Sequence, residues 1–121
     1  MEGIDDPVLA MVTLGCAFTE LDDLPTRDDR TRLLVETRRR WRLGEEEADE
    51  MLSLARWLVA QCGSGQAAMG RVGRRLARID DGTAWRDLQP FLQTLGEGQL
   101  SGTRQEALDD LQRKLTRAAR A

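Results

Sequence analysis

The stretch EEEADEMLSLARWLVAQC, residues 45–62, decides the fold class. Glu45, Glu46 and Glu47 put negative charge where a helix would expose the positive end of its aligned peptide dipoles. Ala48, Met51, Leu52, Ala55, Leu58, Val59 and Cys62 then recur at three- and four-residue spacing, which gathers them on one face of an α-helix. Gly63-Ser64-Gly65 ends the pattern.

The same period continues in both directions. Upstream, Thr26 with Asp29 three residues on reads as a capping box. It opens a helix that runs to about Leu43 and stops at Gly44, a natural left-handed cap. Its apolar stripe is thin, only Leu33, Leu34 and Trp41. Before it, Pro7 fits the first turn of a helix from about Val8 to Glu20 that is apolar nearly all round, the signature of a central buried helix. Downstream, Gln66 to Ile79 turns Met69, Val72, Leu76 and Ile79 inward. Gly70 and Gly73 weaken that helix by roughly 1 kcal/mol each unless they let a neighbour approach closely. Asp80-Asp81-Gly82 is a turn, and Thr83 caps a stripe of Trp85, Leu88, Leu92 and Leu95. Pro90 lies inside that stripe, and an interior proline costs about 3 kcal/mol, which predicts a kink or a restart. After Gly96-Glu97-Gly98-Gln99, Ser101 or Thr103 (with Glu106) caps a last helix that carries Leu108, Leu111, Leu115 and Ala118. Nothing alternates with the period of a strand. The expectation is a single all-α domain over residues 1–121, a compact bundle of about six helices.

Three segments then stand out together. Leu21-Asp22-Asp23-Leu24-Pro25-Thr26-Arg27-Asp28-Asp29 is an acidic loop running into a helix, and Leu43-Gly44-Glu45-Glu46-Glu47-Ala48-Asp49 enters a long amphipathic one. Gly96-Glu97-Gly98-Gln99-Leu100-Ser101-Gly102 precedes the final helix. In this order they resemble the tellurite-resistance protein B-like (TerB-like) family of small all-helical bacterial domains, whose two acidic loops open the second and last helices. The resemblance covers about residues 8–119. Asp23 departs from it by replacing the loop's first glycine, and Thr103 and Arg104 stand where the second loop carries paired acids. It implies a non-enzymatic, cytoplasmic protein-interaction domain in a bacterial stress or tellurite-resistance context. It further implies a divalent cation (Ca²⁺, Mg²⁺ or Mn²⁺) held through Asp22 and Asp29, with Glu97 across a pseudo-repeat.

Composition narrows the function independently. The 121 residues are 40% hydrophobic and 32% charged, ordinary for a folded domain. There is no histidine, which removes the commonest general base and the commonest zinc ligand. Cys16 and Cys62 form no Cys-x-x-Cys pair and sit in apolar helical stretches, so both are expected reduced and buried. The glycine pairs at 70/73 and 96/98 lack the strand and Lys-Ser/Thr of a phosphate loop. Enzyme activity is not expected. Val8 to Phe18 is too short to span a bilayer and follows Glu2, Asp5 and Asp6 rather than basic residues, so neither a transmembrane segment nor a signal peptide is expected.

Three constellations carry the candidate sites. Asp22, Asp23, Asp28 and Asp29 form an acidic loop in which Asp28 and Asp29 read first as helix caps, since the spacing is not that of an EF-hand; the metal role rests on the resemblance. Arg27 to Arg42 holds seven arginines against Asp28, Asp29 and Glu36, and Arg71, Arg74, Arg75 and Arg78 form a second stripe. A nucleic-acid regulator using the first of these is the alternative reading, which the net charge of −3 and the neighbouring Glu45–Glu47 disfavour. Trp41, Trp57 and Trp85 dominate the aromatic content. Tryptophan is enriched at interface anchors, so Trp41 and Trp57, with Arg38 and Arg39 beside the former, are the candidate contacts for a partner or a second copy, a partly covered edge of the core being the other reading.

Overall fold

α1, Pro7–Thr19, forms the axis of the molecule, and the other helices are arranged to cover it. The computed structural model describes residues 4–22, 25–97 and 100–120, with side chains as far as Thr116. Among them α2 is Arg27–Trp41, α3 Glu45–Cys62, α4 Gly65–Ile79, α5 Ala84–Leu95 and α6 Gly102–Arg120, with no strand. The all-α bundle of six helices read from the sequence is therefore the fold. α1 packs chiefly against α4 and α3, with α5 and α2 completing its cover, and α6 lies on α4 and α5. Ala118 lies outside the residues whose side chains are described.

α1 starts as the sequence requires, with Pro7 in its first turn and Asp6 accepting from the Val8 N–H at 2.9 Å. Every residue from Ala10 to Thr19 is buried. The segment before it is strapped to α4: Arg75 donates to the Ile4 carbonyl at 2.7 Å and to Asp5 at 2.8 Å, and Ile4 itself enters the core.

Several boundaries differ from expectation for identifiable reasons. α2 ends at Trp41 because Arg42, not Gly44, takes the left-handed conformation (φ 53°), while Gly44 becomes the extended N-cap of α3. Thr83 does not cap α5. Asp80 Oδ1 does so from farther back, accepting from the N–H groups of Gly82, Thr83 and Ala84 at 3.0–3.2 Å. α5 runs unbroken through Pro90, and Thr94 Oγ1 donates to the Pro90 carbonyl at 2.8 Å. Leu88, Phe91, Leu92 and Leu95 are buried on either side of that proline. Their packing offsets the lost hydrogen bond. Ser101, rather than Thr103, caps α6, accepting from the Arg104 N–H at 3.2 Å.

Glycine decides where the helices touch. A Cβ on Gly15 would lie 2.6 Å from Phe91 Cε2 and 3.3 Å from Leu33 Cδ1, so the bare backbone of α1 seats the Phe91 ring. Gly73 is buried against Leu111, whose Cδ2 would stand 2.9 Å from a Cβ, whereas a Cβ on Gly70 meets nothing nearer than Arg74 Nη1 at 3.6 Å. Gly73 thus permits close packing of α6, and Gly70 does not. Gly15→Ala is expected to overpack the core by about 1–3 kcal/mol. Thermal unfolding should then drop on the order of 5–10 °C. Gly70→Ala should instead raise stability by about 0.5–1 kcal/mol through helix propensity.

Candidate functional site

The end of α1, the start of α2, the end of α5 and the start of α6 meet at one corner, and the sequence-derived metal candidates lie there. Thr26 and Asp29 form the expected capping box: the Thr26 N–H donates to Asp29 Oδ2 at 2.9 Å, and the Asp29 N–H donates to Thr26 Oγ1 at 3.1 Å. Arg32, one turn along α2, ion-pairs with Asp29 at 3.5 Å and with Glu97 of the facing loop. Glu97 is held in the left-handed region at φ 57°, a conformation uncommon for residues other than glycine. Across the same corner Asp22 accepts from Ser101 Oγ at 2.7 Å. Arg104 Nε lies 3.4 Å from Asp22 Oδ2, close enough for an ion pair but not aligned as a hydrogen bond. The Arg104 guanidinium also lies 5.4 Å from the centre of the Phe18 ring and donates to the Thr19 carbonyl at 3.4 Å.

The two loops that resemble each other in sequence are therefore joined in space, through Asp22–Ser101 and Arg32–Glu97. The positive charge between Asp22, Asp29 and Glu97 is supplied by Arg32 and Arg104. Among the described residues no three acidic or cysteine side chains are grouped as a cation site. Asp29 caps α2, and Asp22, Asp29 and Glu97 each stand against an arginine. Asp23 of the same loop lies outside the described residues. Arg32 and Arg104 were missed as members of this corner; the i, i+3 spacing of Asp29 and Arg32 was the one local signal for the first, and only the departure from the acidic pattern marked the second.

The aromatic candidates separate. Trp41 packs edge-on against Phe91, with ring centres 4.9 Å apart, and covers the core rather than a partner. Trp57 is 57% exposed on the outer face of α3, and Leu54, one turn before it, is 44% exposed. Arg39 turns back onto buried Glu36 at 2.9 Å, while Arg38 is exposed. Cys16 is buried, and desolvation pushes its thiol up to about 12, which disfavours the thiolate. Cys62 is free but only half-buried, against the expectation that both cysteines are enclosed. No described helix is long and apolar enough to cross a membrane. Compared with protein-family models, curated proteins and solved structures, the chain matches none.

Two outcomes test the corner. The backbone hydrogen bond from Thr26, then the Thr26 hydroxyl, Arg104 and Arg32, hold the Asp29 carboxyl below its ordinary 3.8. A depressed folded-state value makes this contribution complete above 3.8 and lost as pH falls through the lowered value. The difference in melting temperature between the native chain and Asp29→Asn should therefore be largest near neutral pH and shrink in acid. Chelator-treated protein should melt at an unchanged temperature when Ca²⁺, Mg²⁺ or Mn²⁺ is added. A cation at a hundred times its dissociation constant would add about 2.7 kcal/mol, a rise on the order of 10 °C that would contradict the ion-pair account.

Proposed function

We propose that this chain is a non-enzymatic helical interaction domain that contacts protein through the outer face of α3, with Trp57 as its anchor. The exposure of Trp57 carries this reading. Among the described residues only Val35, Leu54 and Trp57 are large, apolar and exposed, and two of the three share one turn of one helix. An exposed indole beside a leucine offers a large apolar contact at little conformational cost, the character of interface hot spots. Cys16 is buried with its thiol pushed up by desolvation, and the polar residues of the Asp22–Arg104 corner are engaged with one another rather than set around a reacting centre.

The partner that the chain's own surface complements is a second copy. Trp57 and Leu54 lie on the same outward face as Glu46 and Glu50, all exposed. Val35 lies on the outer face of α2 with Arg38 and Arg39, one turn on. Acidic residues beside apolar ones on α3, and basic Arg38 beside apolar Val35 on α2, fit each other in sign and in kind. The TerB-like resemblance supports a bacterial stress context for such a module, and the meeting of its two acidic loops at one corner agrees with that layout; both remain parts of the proposal.

Light scattering across a concentration series is the test. Self-association is expected, weakened by salt, by Arg38→Glu and by Trp57→Ala. Because Trp57 is exposed, its replacement should leave the unfolding free energy within about 0.5 kcal/mol. A strict monomer at high concentration would eliminate the second copy as partner, and photo-crosslinking from position 57 would then have to find a different protein or none.

A further inference from the structure

A cleft of about 390 Å³ opens where α2, α3 and the first turn of α4 meet the end of α1, on the other side of α2 from the Arg32 corner. Its volume falls in the range of small-molecule sites, about 300–1,000 Å³. Cys16, Leu33 and Val59 give it an apolar floor that is part of the core, and Ala60 extends this toward the mouth. The charged side chains lining it are Arg30, Arg56 and Glu20. Arg32, Arg39, Arg75 and Arg104 each lie within 4.0 Å of a carboxylate. Among the described residues Arg30 and Arg56 do not, although Glu20 lines the same cleft; Arg30 has only a 3.5 Å contact to the Pro25 carbonyl. Ser64 and Gly65 also line it, which adds the positive pole of α4, a fifteen-residue helix. A second hollow of about 350 Å³ lies along the α2–α3 seam, lined by Arg30 and Arg56 together with Arg27 and Asp49, the last not within ion-pair distance of either.

Two guanidinium groups without carboxylate partners, a helix N-terminus and an apolar floor belong to one recognition problem. The first two favour a negative head, and the third favours a tail that leaves water. We propose that this cleft binds an amphipathic organic anion, its carboxylate or phosphate-monoester head between Arg30 and Arg56 and its short apolar tail over Leu33 and Val59. Glu20 opposes such a ligand by charge. Leu54 and Trp57 do not line the cleft, and binding of the small anions is read without reference to self-association, so either proposal can fail without the other.

Isothermal titration with octanoate, octyl phosphate, 1-octanol and inorganic phosphate decides the matter. Saturable binding of octanoate or octyl phosphate is expected, the tighter of the two identifying the head, with octanol and inorganic phosphate markedly weaker. Binding should fall by about tenfold or more in Arg30→Gln/Arg56→Gln, the loss of a charge-assisted contact. It should tighten in Glu20→Gln and weaken in Ala60→Leu, which narrows the mouth without touching charge. Arg30, Arg56 and Ala60 are exposed, so these variants should keep the native melting temperature within a few degrees. Absence of saturable binding to both anions, octanol binding as tightly as octanoate, or binding indifferent to the double arginine substitution would each overturn the proposal.

Discussion

Because the ten residues from Ala10 to Thr19 are all withdrawn from water, the polar groups they carry must be satisfied within α1 or by its immediate neighbours. Thr13 donates to the Leu9 carbonyl at 2.7 Å and Thr19 to that of Cys16 at 2.8 Å, so both hydroxyls are accommodated inside the helix. Large side chains such as Leu14 and Phe18 are worth roughly 1.5–3 kcal/mol each when fully enclosed, but only if helices stand on every side. That requirement explains the arrangement of the bundle. α3 and α4 supply apolar faces along the length of α1, α5 inserts Phe91 against Gly15, and α2 closes the remaining gap with Leu33. A helix buried all round cannot tolerate a wider neighbour or a longer side chain at its tightest point, and Gly15 is that point.

The end of α1 creates the charged corner. A chain leaving a fully buried helix has to reach solvent within a few residues, and it does so through Glu20, Leu21 and Asp22, beside the starts of α2 and α6. Two helix N-termini close together attract negative charge, and Asp29, Asp22 and Glu97 supply it. Carboxylates collected in this way repel one another unless cations lie between them. Arg32 and Arg104 meet that need from opposite sides, and the stacking of Arg104 over Phe18 fixes the corner to the core rather than leaving it as a loose surface salt bridge.

Local rules made most of the fold legible. The apolar girth of residues 8–18, the stripe through residues 45–62 and the Thr26–Asp29 box each follow from spacing alone, and each is present. What was misread required knowledge of neighbours. Pro90 is tolerated because the residues around it are buried, a tertiary effect that propensity cannot register. Asp80 displaced Thr83 as a cap because a carboxylate three or four residues back reaches several N–H groups at once. Trp41 sits among arginines and Trp57 in an apolar run, yet Phe91, fifty residues away from the first, covers Trp41 and leaves Trp57 outside. The acidic residues at the corner were found, but their partners came from α6 and from the second turn of α2, and the family resemblance points to a metal cation where arginines stand.

Arginine is the residue on which this chain's chemistry divides. α2 alone presents three kinds within a few turns. Arg32 is spent on the corner, Arg39 returns to buried Glu36, and Arg30 faces a cleft whose one carboxylate does not meet it. The distinction is geometric: residues two apart on a helix point roughly 200° from each other, so Arg30 and Arg32 serve different sides of the same element. Counting charge along the sequence merges these roles into one basic cluster and invites a polyanion as partner. Resolving them by face separates the arginines that meet a carboxylate from those that do not, and two of the latter, Arg30 and Arg56, line a cleft with an apolar floor. That combination selects for ligands with one charged end and one that avoids water, which bulk polyanions do not have, and it moves the functional question from the net charge of α2 to the direction in which each guanidinium points.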